Sequence, residues 1–221
     1  MKRVGILGGL GPETTAEFYL DLIRLSSRKR RPDVGIESLP LDLQKESEYI
    51  SLGSHRRHYL RLLRRGACRL TRTECDFIVI PCNTVHEFYP QIVQSAGAPI
   101  VNLIDVVAKE VEKRGWQQVT LLATSRTIQT RLYQKVLARA KIEVRVPCQQ
   151  DQVVLDQLIQ GLVGDNRDDK QQQFLEQLIA KAGAKNIVLG CTDLQLLFPA
   201  SSMVIDSMAA LVEYTARLLY K

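Results

Sequence analysis

Two cysteines stand in matching sequence contexts, each directly after a short apolar run. Cys82 follows residues 77–81 and Cys191 follows residues 186–190. An apolar run of this length, bounded by Pro or Gly, is typical of a strand that is buried on both faces of a parallel sheet. Ligands bind beyond the carboxyl ends of such strands. The pattern therefore predicts that both thiols lie at the mouth of a cleft.

Two thiols on opposite walls of a cleft suit proton transfer at a carbon atom. A thiolate on one face removes a proton, and a thiol on the other face returns one, which inverts the stereocentre. The pKa of a free cysteine is about 8.5 and falls at helix N-termini, so the predicted strand-to-helix turns are expected to favour thiolates. The neighbouring Asn83, Thr84 and Thr192 are expected to hold a substrate carboxylate as charge develops.

Strands and helices alternate along the whole chain, which predicts an α/β fold with parallel sheets. The chain also contains an internal repeat, because residues 4–14 match 119–128 and residues 77–84 match 186–193. We therefore predict two similar parallel-sheet α/β domains, related by pseudo-two-fold symmetry, with the active site in the cleft between them. The first domain is expected at 1–103 plus 206–221, with Cys82, and the second at 104–205, with Cys191.

Three local predictions concern the segments around these motifs. The polar segment 42–54 is predicted as a loop near the strand ends. Residues 86–94 are predicted as a helix after the first cysteine motif, and residues 100–102 as a further strand.

Composition excludes several classes of protein. The 221 residues are 45% hydrophobic and contain five cysteines without C-x-x-C spacing, which argues against a disulfide framework or a zinc site. No apolar run reaches the roughly 18 residues of a membrane span, and the N-terminus does not resemble a signal peptide. A cytoplasmic protein is expected, in which Cys68, Cys75 and Cys148 are inert packing residues.

The net charge of +6 raises the possibility of nucleic-acid binding. The basic residues cluster at 28–31 and along a predicted helix at 56–72, where the apolar spacing indicates a solvated outer face. No nucleic-acid motif accompanies them.

The glycines at 8–11 do not complete a dinucleotide motif, since Thr14 occupies the third glycine position. Binding of a small anion by the backbone of this loop is an alternative that the sequence leaves.

Four segments resemble the aspartate/glutamate racemase family in content and in order. They are Gly-Gly-Leu-Gly-Pro-Glu (8–13), Pro-Cys-Asn-Thr-Val-His (81–86), Leu-Leu-Ala-Thr-Ser-Arg-Thr (121–127) and Leu-Gly-Cys-Thr-Asp (189–193), with Asp206 before the last helix. The resemblance spans nearly the whole chain and is most specific at the two cysteine motifs. It implies an amino-acid racemase that works without pyridoxal phosphate or metal.

The resemblance also implies roles for individual residues. Cys82 and Cys191 are the two acid/base residues, while Asn83, Thr84, Thr127 and Thr192 hold the α-carboxylate and α-amino groups of the substrate. The family is typically homodimeric, so a homodimer is implied. Asp193, where the family usually has Glu, either orients the substrate ammonium or a thiol or caps a helix.

Three further positions bear on the substrate. Glu46 and Ile159 stand where acidic-substrate members usually carry an arginine and a lysine, and Arg126 stands where a glycine is common. We therefore predict that the preferred substrate is not simply aspartate, with Arg126 as a candidate replacement cation. His86 is either a proton partner of Cys82 or a structural or capping residue.

Other functions stay open at this stage. A related cysteine-dependent enzyme of the hydantoin racemase, maleate isomerase or decarboxylase type would use a similar cleft. A catalytically inactive amino-acid-binding protein would keep the cleft without the chemistry. A redox pair would need the two sulfurs to meet, which a substrate between them prevents.

Overall fold

Strands and helices alternate along the chain. The computed structural model describes residues 2–26, 30–163, 169–181, 183, 185–198 and 201–220. The strands are β1 (Arg3–Gly8), β2 (Asp33–Ser38), β3 (Phe77–Val79), β4 (Gln118–Leu122), β5 (Glu143–Arg145), β6 (Ile187–Leu189) and β7 (Val204–Asp206). The α-helices are α1 (Pro12–Leu25), α2 (Leu43–Leu52), α3 (Arg56–Thr71), α4 (Tyr89–Val93), α5 (Leu103–Lys113), α6 (Ser125–Gln129), α7 (Leu132–Leu137), α8 (Gln149–Val163), α9 (Asp169–Lys181) and α10 (Ser207–Leu219). Short 3-10 helices occupy Thr84–Phe88, Ala138–Ala140 and Thr192–Leu196.

The strands form two parallel sheets with matching strand orders. The first sheet has the order β2-β1-β3, and a single bridge between Ile78 and Ile100 extends its edge. The second sheet has the order β5-β4-β6-β7, so β4 takes the central place that β1 takes in the first. The prediction of two parallel-sheet α/β domains is confirmed. The boundaries at 1–103 plus 206–221 and 104–205 stay a prediction.

One continuous apolar core joins the two sheets. Val4 of β1 and Val119 of β4 belong to the same buried cluster, to which helices α1, α5 and α10 contribute Phe18, Val107 and Leu211. Both central strands are apolar along most of their length because sheet neighbours and helices cover both of their faces. This shared core fixes the loops that follow β3 and β6 relative to each other.

Helix α2 corrects the predicted loop from Asp42 to Ser54. The Asp42 carboxylate accepts a hydrogen bond from the Lys45 backbone N–H at 3.1 Å, which caps the start of the helix. Gly53 ends the helix in the left-handed region, with φ of 69°. Tyr49 is buried on the inner face. Both capping residues are recognisable in the sequence, and they set the two ends of the helix although its composition is polar.

Two further predictions need correction around the first cysteine motif. The predicted strand at 100–102 reduces to the single bridge at Ile100, because Asn102 already caps helix α5 by accepting from the Ile104 N–H. The predicted helix at 86–94 is a 3-10 helix followed by α4. Pro90 lies in the first turn of α4, where its missing N–H is tolerated, and it cannot continue the hydrogen bonds of the preceding turn.

Helix α3 presents its arginines to solvent, as its spacing predicts. Tyr59, Leu63 and Leu70 are buried on the inner face, and most of the arginines are exposed. In the basic cluster at 28–31, positions 28 and 29 lie outside the described residues. Within the described part of the chain, no helix is both long and apolar enough to cross a membrane.

The three other cysteines differ in exposure. Cys75 is buried and Cys68 is partly buried, which fits packing residues, but Cys148 is exposed. The packing interpretation is therefore wrong for Cys148, whose thiol lies 3.1 Å from the Asp151 carboxylate.

Candidate active site

Cys82 lies in the loop after β3, in a tight turn. Its backbone N–H donates to the Ile80 carbonyl at 2.8 Å, and the 3-10 helix Thr84–Phe88 begins two residues later. The backbone N–H groups of Thr84 and Val85 face the thiol. The strand end and the turn thus place the sulfur against backbone donors, as the matching motif predicts.

Cys191 occupies the equivalent position after β6 and is buried. Its thiol donates to the Asp193 carboxylate, with a sulfur–oxygen distance of 3.4 Å. A second 3-10 helix, Thr192–Leu196, follows at once. The two cysteine motifs therefore share the same local structure, and the Cys191 thiol in addition donates a hydrogen bond to a carboxylate.

The two thiols open into the same small cavity, and we call Cys82 and Cys191 the cavity cysteines. The cavity has a volume of about 20 Å³, which is about enough for one water molecule. Other predicted site residues that line it are Asn83, Thr84, Thr192 and Asp193. The structure thus brings together six of the seven predicted site residues.

Burial raises the pKa of both cavity cysteines. The pKa of Cys82 rises to about 12 because the thiol is removed from water, although the Val85 and Thr84 N–H groups act in the opposite direction. The pKa of Cys191 rises well above its ordinary value because of burial and the nearby Asp193 carboxylate. The expectation that the turns favour thiolates is therefore wrong for this closed cavity, since desolvation outweighs the backbone donors.

Asp193 connects the second cysteine to the glycine loop of the first domain. Its Oδ1 accepts a short hydrogen bond from the Thr14 hydroxyl, and its Oδ2 faces the Cys191 thiol. Burial raises the pKa of Asp193 despite these two donors. Gly11 has φ of 84°, and a Cβ at this position would lie 3.1 Å from Asp193 Oδ1. The glycine loop therefore leaves room for this carboxylate.

The side chain of Asn83 is held at both ends. Its Nδ2 donates to the Ser207 hydroxyl at 2.9 Å, and its Oδ1 accepts a short hydrogen bond from the Tyr133 hydroxyl. The Thr192 hydroxyl donates to the Pro81 carbonyl at 3.2 Å. These bonds connect the two sheets through buried polar groups, which fixes the loops that carry the sulfurs.

Thr127 is fully buried and does not line the cavity. Its hydroxyl donates to the Thr84 hydroxyl at 3.2 Å and accepts from the Thr124 hydroxyl at 2.9 Å. Thr124 caps the short helix α6, because its side chain accepts from the Thr127 N–H at 3.1 Å. Thr127 thus lies one hydrogen bond behind the cavity wall.

His86 is a neutral structural residue. The Leu103 N–H donates to its Nε2 at 3.1 Å, so its Nδ1 carries the proton and donates to the Cys82 carbonyl at 2.7 Å. Burial lowers the pKa of His86 to about 4. The ring therefore joins the Cys82 turn to the start of α5 and faces the backbone of Cys82, not its sulfur.

The chain matches one protein family over most of its length. The family model described as Asp/Glu/Hydantoin racemase matches residues 7–215. The chain belongs to this family. Racemases are isomerases, so membership of the Asp/Glu/Hydantoin racemase family places the protein among the isomerases.

Individual relatives of the Asp/Glu/Hydantoin racemase family match over the full chain. The broad-specificity amino-acid racemase RacX of Bacillus subtilis is 29% identical, over 96% of each protein. Among solved structures, an aspartate racemase homologue from Pyrococcus horikoshii is 27% identical, with full coverage of both chains and a TM-score of 0.78. The aspartate racemase of Picrophilus torridus shares the fold with a TM-score of 0.82, over 98% of this chain and 95% of that chain, at 23% identity.

Two of the positions predicted to bear on the substrate, Glu46 and Ile159, lie in different surroundings. Glu46 of α2 lines the cavity and is 5% exposed. Ile159 of α8 is fully buried in an apolar cluster and does not line the cavity. Among the described residues that form the cavity wall there is no lysine, arginine or histidine.

Arg126, the candidate replacement cation, is bound elsewhere. Its Nε and Nη2 donate to the Glu87 carboxylate at 3.0 Å and 2.5 Å. Glu87 is also contacted by Arg56 Nη2 at 2.7 Å and by the Tyr49 hydroxyl at 2.8 Å. Arg126 therefore neutralises a buried glutamate between α2 and α6, outside the cavity wall.

The sequence does not predict several residues of the site. Tyr59 lines the cavity from helix α3, Thr14 binds Asp193, and Tyr133 and Ser207 hold Asn83. Only Thr14 had a sequence signal, because it occupies the third glycine position of the glycine loop. The tyrosines read as ordinary apolar positions of their helices.

Among the described residues, no cluster of three or more histidine, cysteine, aspartate or glutamate side chains is arranged to hold a metal ion.

Proposed function

We propose that this protein is an amino-acid racemase that inverts the α-carbon by two-base proton transfer between Cys82 and Cys191. The observation that carries the proposal is that both thiols, from equivalent strand ends of the two sheets, line one small cavity. Family membership supports the reaction class. No cofactor enters the proposed chemistry.

The proposed reaction conserves atoms and charge. One cavity cysteine, as thiolate, takes the α-proton, so that a carbon–hydrogen bond breaks and a sulfur–hydrogen bond forms. The other thiol then gives its proton to the opposite face of the planar carbanion. Asp193 Oδ2 already accepts the hydrogen bond of the Cys191 thiol, so it is placed to take that proton and prepare the thiolate.

The backbone donors near the cysteines support a place for the substrate carboxylate. The N–H groups of Thr84 and Val85 face the Cys82 sulfur, and both residues line the cavity. Such fixed donors stabilise the charge that develops on the carboxylate as the α-proton leaves. The volume of about 20 Å³ is too small for an amino acid, so we infer that the cavity widens when substrate binds.

We propose that aspartate is not the preferred substrate. The described cavity wall carries Glu46 and no cation, and Arg126 is occupied by Glu87. A substrate with a side-chain carboxylate would place a second negative charge beside Glu46 without a partner. Turnover of aspartate, glutamate and neutral polar amino acids compares the classes directly. A strong preference for aspartate would be the contrary result.

The central experiment is incubation of single L-amino acids with the protein in heavy water. Deuterium at the α-carbon, with loss of optical rotation, is the expected result for the wild type. Cys82→Ser and Cys191→Ser are each expected to lower racemisation by at least about 100-fold, which is the lower range for loss of a general acid–base group. Cys148→Ser, which changes an exposed thiol outside the cavity, is the matched control and is expected to keep full activity.

The outcomes separate the competing functions. Wild-type rates in either cavity-cysteine variant, with circular dichroism showing an intact fold, would remove the two-base mechanism. Binding of amino acids without any α-deuteration would favour a binding protein. Activity restricted to a hydantoin or to maleate would point to a related cysteine-dependent enzyme.

The homodimer is likewise a proposal, based on the family resemblance. Static light scattering of the purified protein measures its mass directly, and a mass close to the 25.0 kDa of one chain would overturn the proposal.

A further inference from the structure

One wall of the cavity is formed by two helices that carry an acid and a tyrosine. Glu46 of α2 and Tyr59 of α3 both line the cavity, and they are 5% and 1% exposed. We call these two residues the Glu46–Tyr59 corner. They come from the helices of the first domain, whereas the cavity cysteines come from the loops at the strand ends.

The hydroxyl of Tyr59 is buried without a hydrogen-bond partner in the described protein. The ring itself is fixed, because it stacks on Tyr49 with 4.1 Å between ring centroids and 18° between planes. Tyr49 has its own partner in Glu87, so it does not satisfy Tyr59. Buried tyrosine hydroxyls usually have a partner. This hydroxyl therefore points to a ligand that supplies one.

The charge around the corner is negative. Glu46 lies close enough to Asp193 and Glu13 for their charges to act on it, and burial adds to the cost of its ionisation. No described basic side chain lines the cavity, and Arg56 and Arg126 are both engaged with Glu87. A buried carboxylate without a cation requires one, or else stays protonated.

We propose that the Glu46–Tyr59 corner binds the positively charged end of a basic amino-acid side chain, an ammonium or a guanidinium group. This inference rests on the proposed racemase function and names its substrate class. The ligand donates to the Glu46 carboxylate and to the Tyr59 oxygen, which satisfies both groups at once. The α-carbon of the same ligand lies between the cavity cysteines.

The test compares L-lysine with L-norleucine, which has the same carbon chain without the ammonium group. The rate of α-deuteration in heavy water is measured for both by proton NMR, with chiral chromatography of the product. We expect the wild type to prefer lysine, with a kcat/KM about 10- to 100-fold higher, as expected for one charge-assisted hydrogen bond.

Three variants locate this preference. Glu46→Gln is expected to lower kcat/KM for lysine by about 10- to 100-fold and to leave norleucine nearly unchanged. Tyr59→Phe, which removes only the oxygen, is expected to lower lysine turnover by about 2- to 10-fold. Glu48→Gln removes the same charge from the solvent side of the same helix and is expected to change neither rate. Tyr59→Phe tests the corner independently of Glu46.

Specific outcomes would overturn the inference. Equal wild-type turnover of lysine and norleucine would refute it, and the racemase proposal would survive. An equal loss for both substrates in Glu46→Gln would assign Glu46 to the α-ammonium group that all amino acids share. If no amino acid is deuterated by the wild type, the proposed function fails and this inference fails with it.

Discussion

Replacing Glu46 by glutamine tests whether the cavity contains a carboxyl group that opposes folding at neutral pH. Burial, together with the charges of Asp193 and Glu13, raises the pKa of Glu46 from its ordinary 4.5 to about 7. The folded state therefore favours the protonated form. This contribution to stability is fully present below pH 4.5 and is lost as the pH rises through about 7.

The size of the effect follows from the pKa difference. One pKa unit corresponds to about 1.4 kcal/mol, so the change from 4.5 to about 7 corresponds to about 3 kcal/mol. Glutamine has the shape of the protonated acid and does not ionise. Glu46→Gln is therefore expected to raise the free energy of unfolding by about 2–3 kcal/mol at about pH 8, and to change it little at about pH 4.

Urea unfolding followed by circular dichroism measures this free energy at both pH values. Glu48→Gln is the matched control, since the Glu48 side chain is partly exposed and paired with His55, and no stabilisation is expected from it. A Glu46→Gln protein that is less stable than the wild type at about pH 8 would refute the reasoning, as would the same gain at both pH values. Stabilisation at high pH alone would identify Glu46 as a group whose ionisation opposes folding.

Three other predictions concern the surroundings of the cavity. Arg126→Gln is expected to lower the free energy of unfolding by about 2–3 kcal/mol and the melting temperature by about 5–10 °C, because it breaks a buried pair with Glu87. An altered preference for aspartate without loss of stability would contradict this expectation. Gly53→Ala is expected to lower the melting temperature more than Gly115→Ala does. Both glycines have positive φ, but only at Gly53 would the new Cβ meet a side chain, 2.7 Å from Arg126 Nη1. Equal decreases in melting temperature would contradict this. Iodoacetamide at neutral pH is expected to label the exposed Cys148 before the cavity cysteines, because burial raises the pKa of both cavity thiols; equal labelling in peptide mass spectrometry would contradict a closed cavity.

The sequence predicts those parts of the fold that depend on local pattern. The apolar runs before Cys82 and Cys191 become β3 and β6, and the repeat becomes two parallel sheets in which β2-β1-β3 corresponds to β5-β4-β6. The sequence predicts a loop over 42–54 because α2 carries few apolar residues, although Asp42 and Gly53 mark its ends. Local signals were thus sufficient wherever strands are buried on both faces.

The chemistry of the site depends on contacts that no local pattern contains. Tyr59 reads as one apolar position of an arginine-rich helix, and only the packing of α2 on α3 places it beside Glu46. The turn after Cys82 predicts a lowered pKa for the thiol. Burial of the thiol between the two domains instead raises this pKa. The sequence leaves Arg126 as a candidate cation for binding the substrate, because its partner Glu87 lies 39 positions away and no local pattern pairs them.

The tight enclosure of the two sulfurs has a kinetic consequence under the proposed mechanism. The sulfur that starts as thiolate ends protonated and the other ends as thiolate, so an enzyme that has just made the D form is primed to run backwards. It resets only when hydrogens redistribute between the sulfurs and solvent, after the widened cavity has released the product. Under the proposed mechanism each turnover therefore includes this recovery as a step separate from scission of the carbon–hydrogen bond.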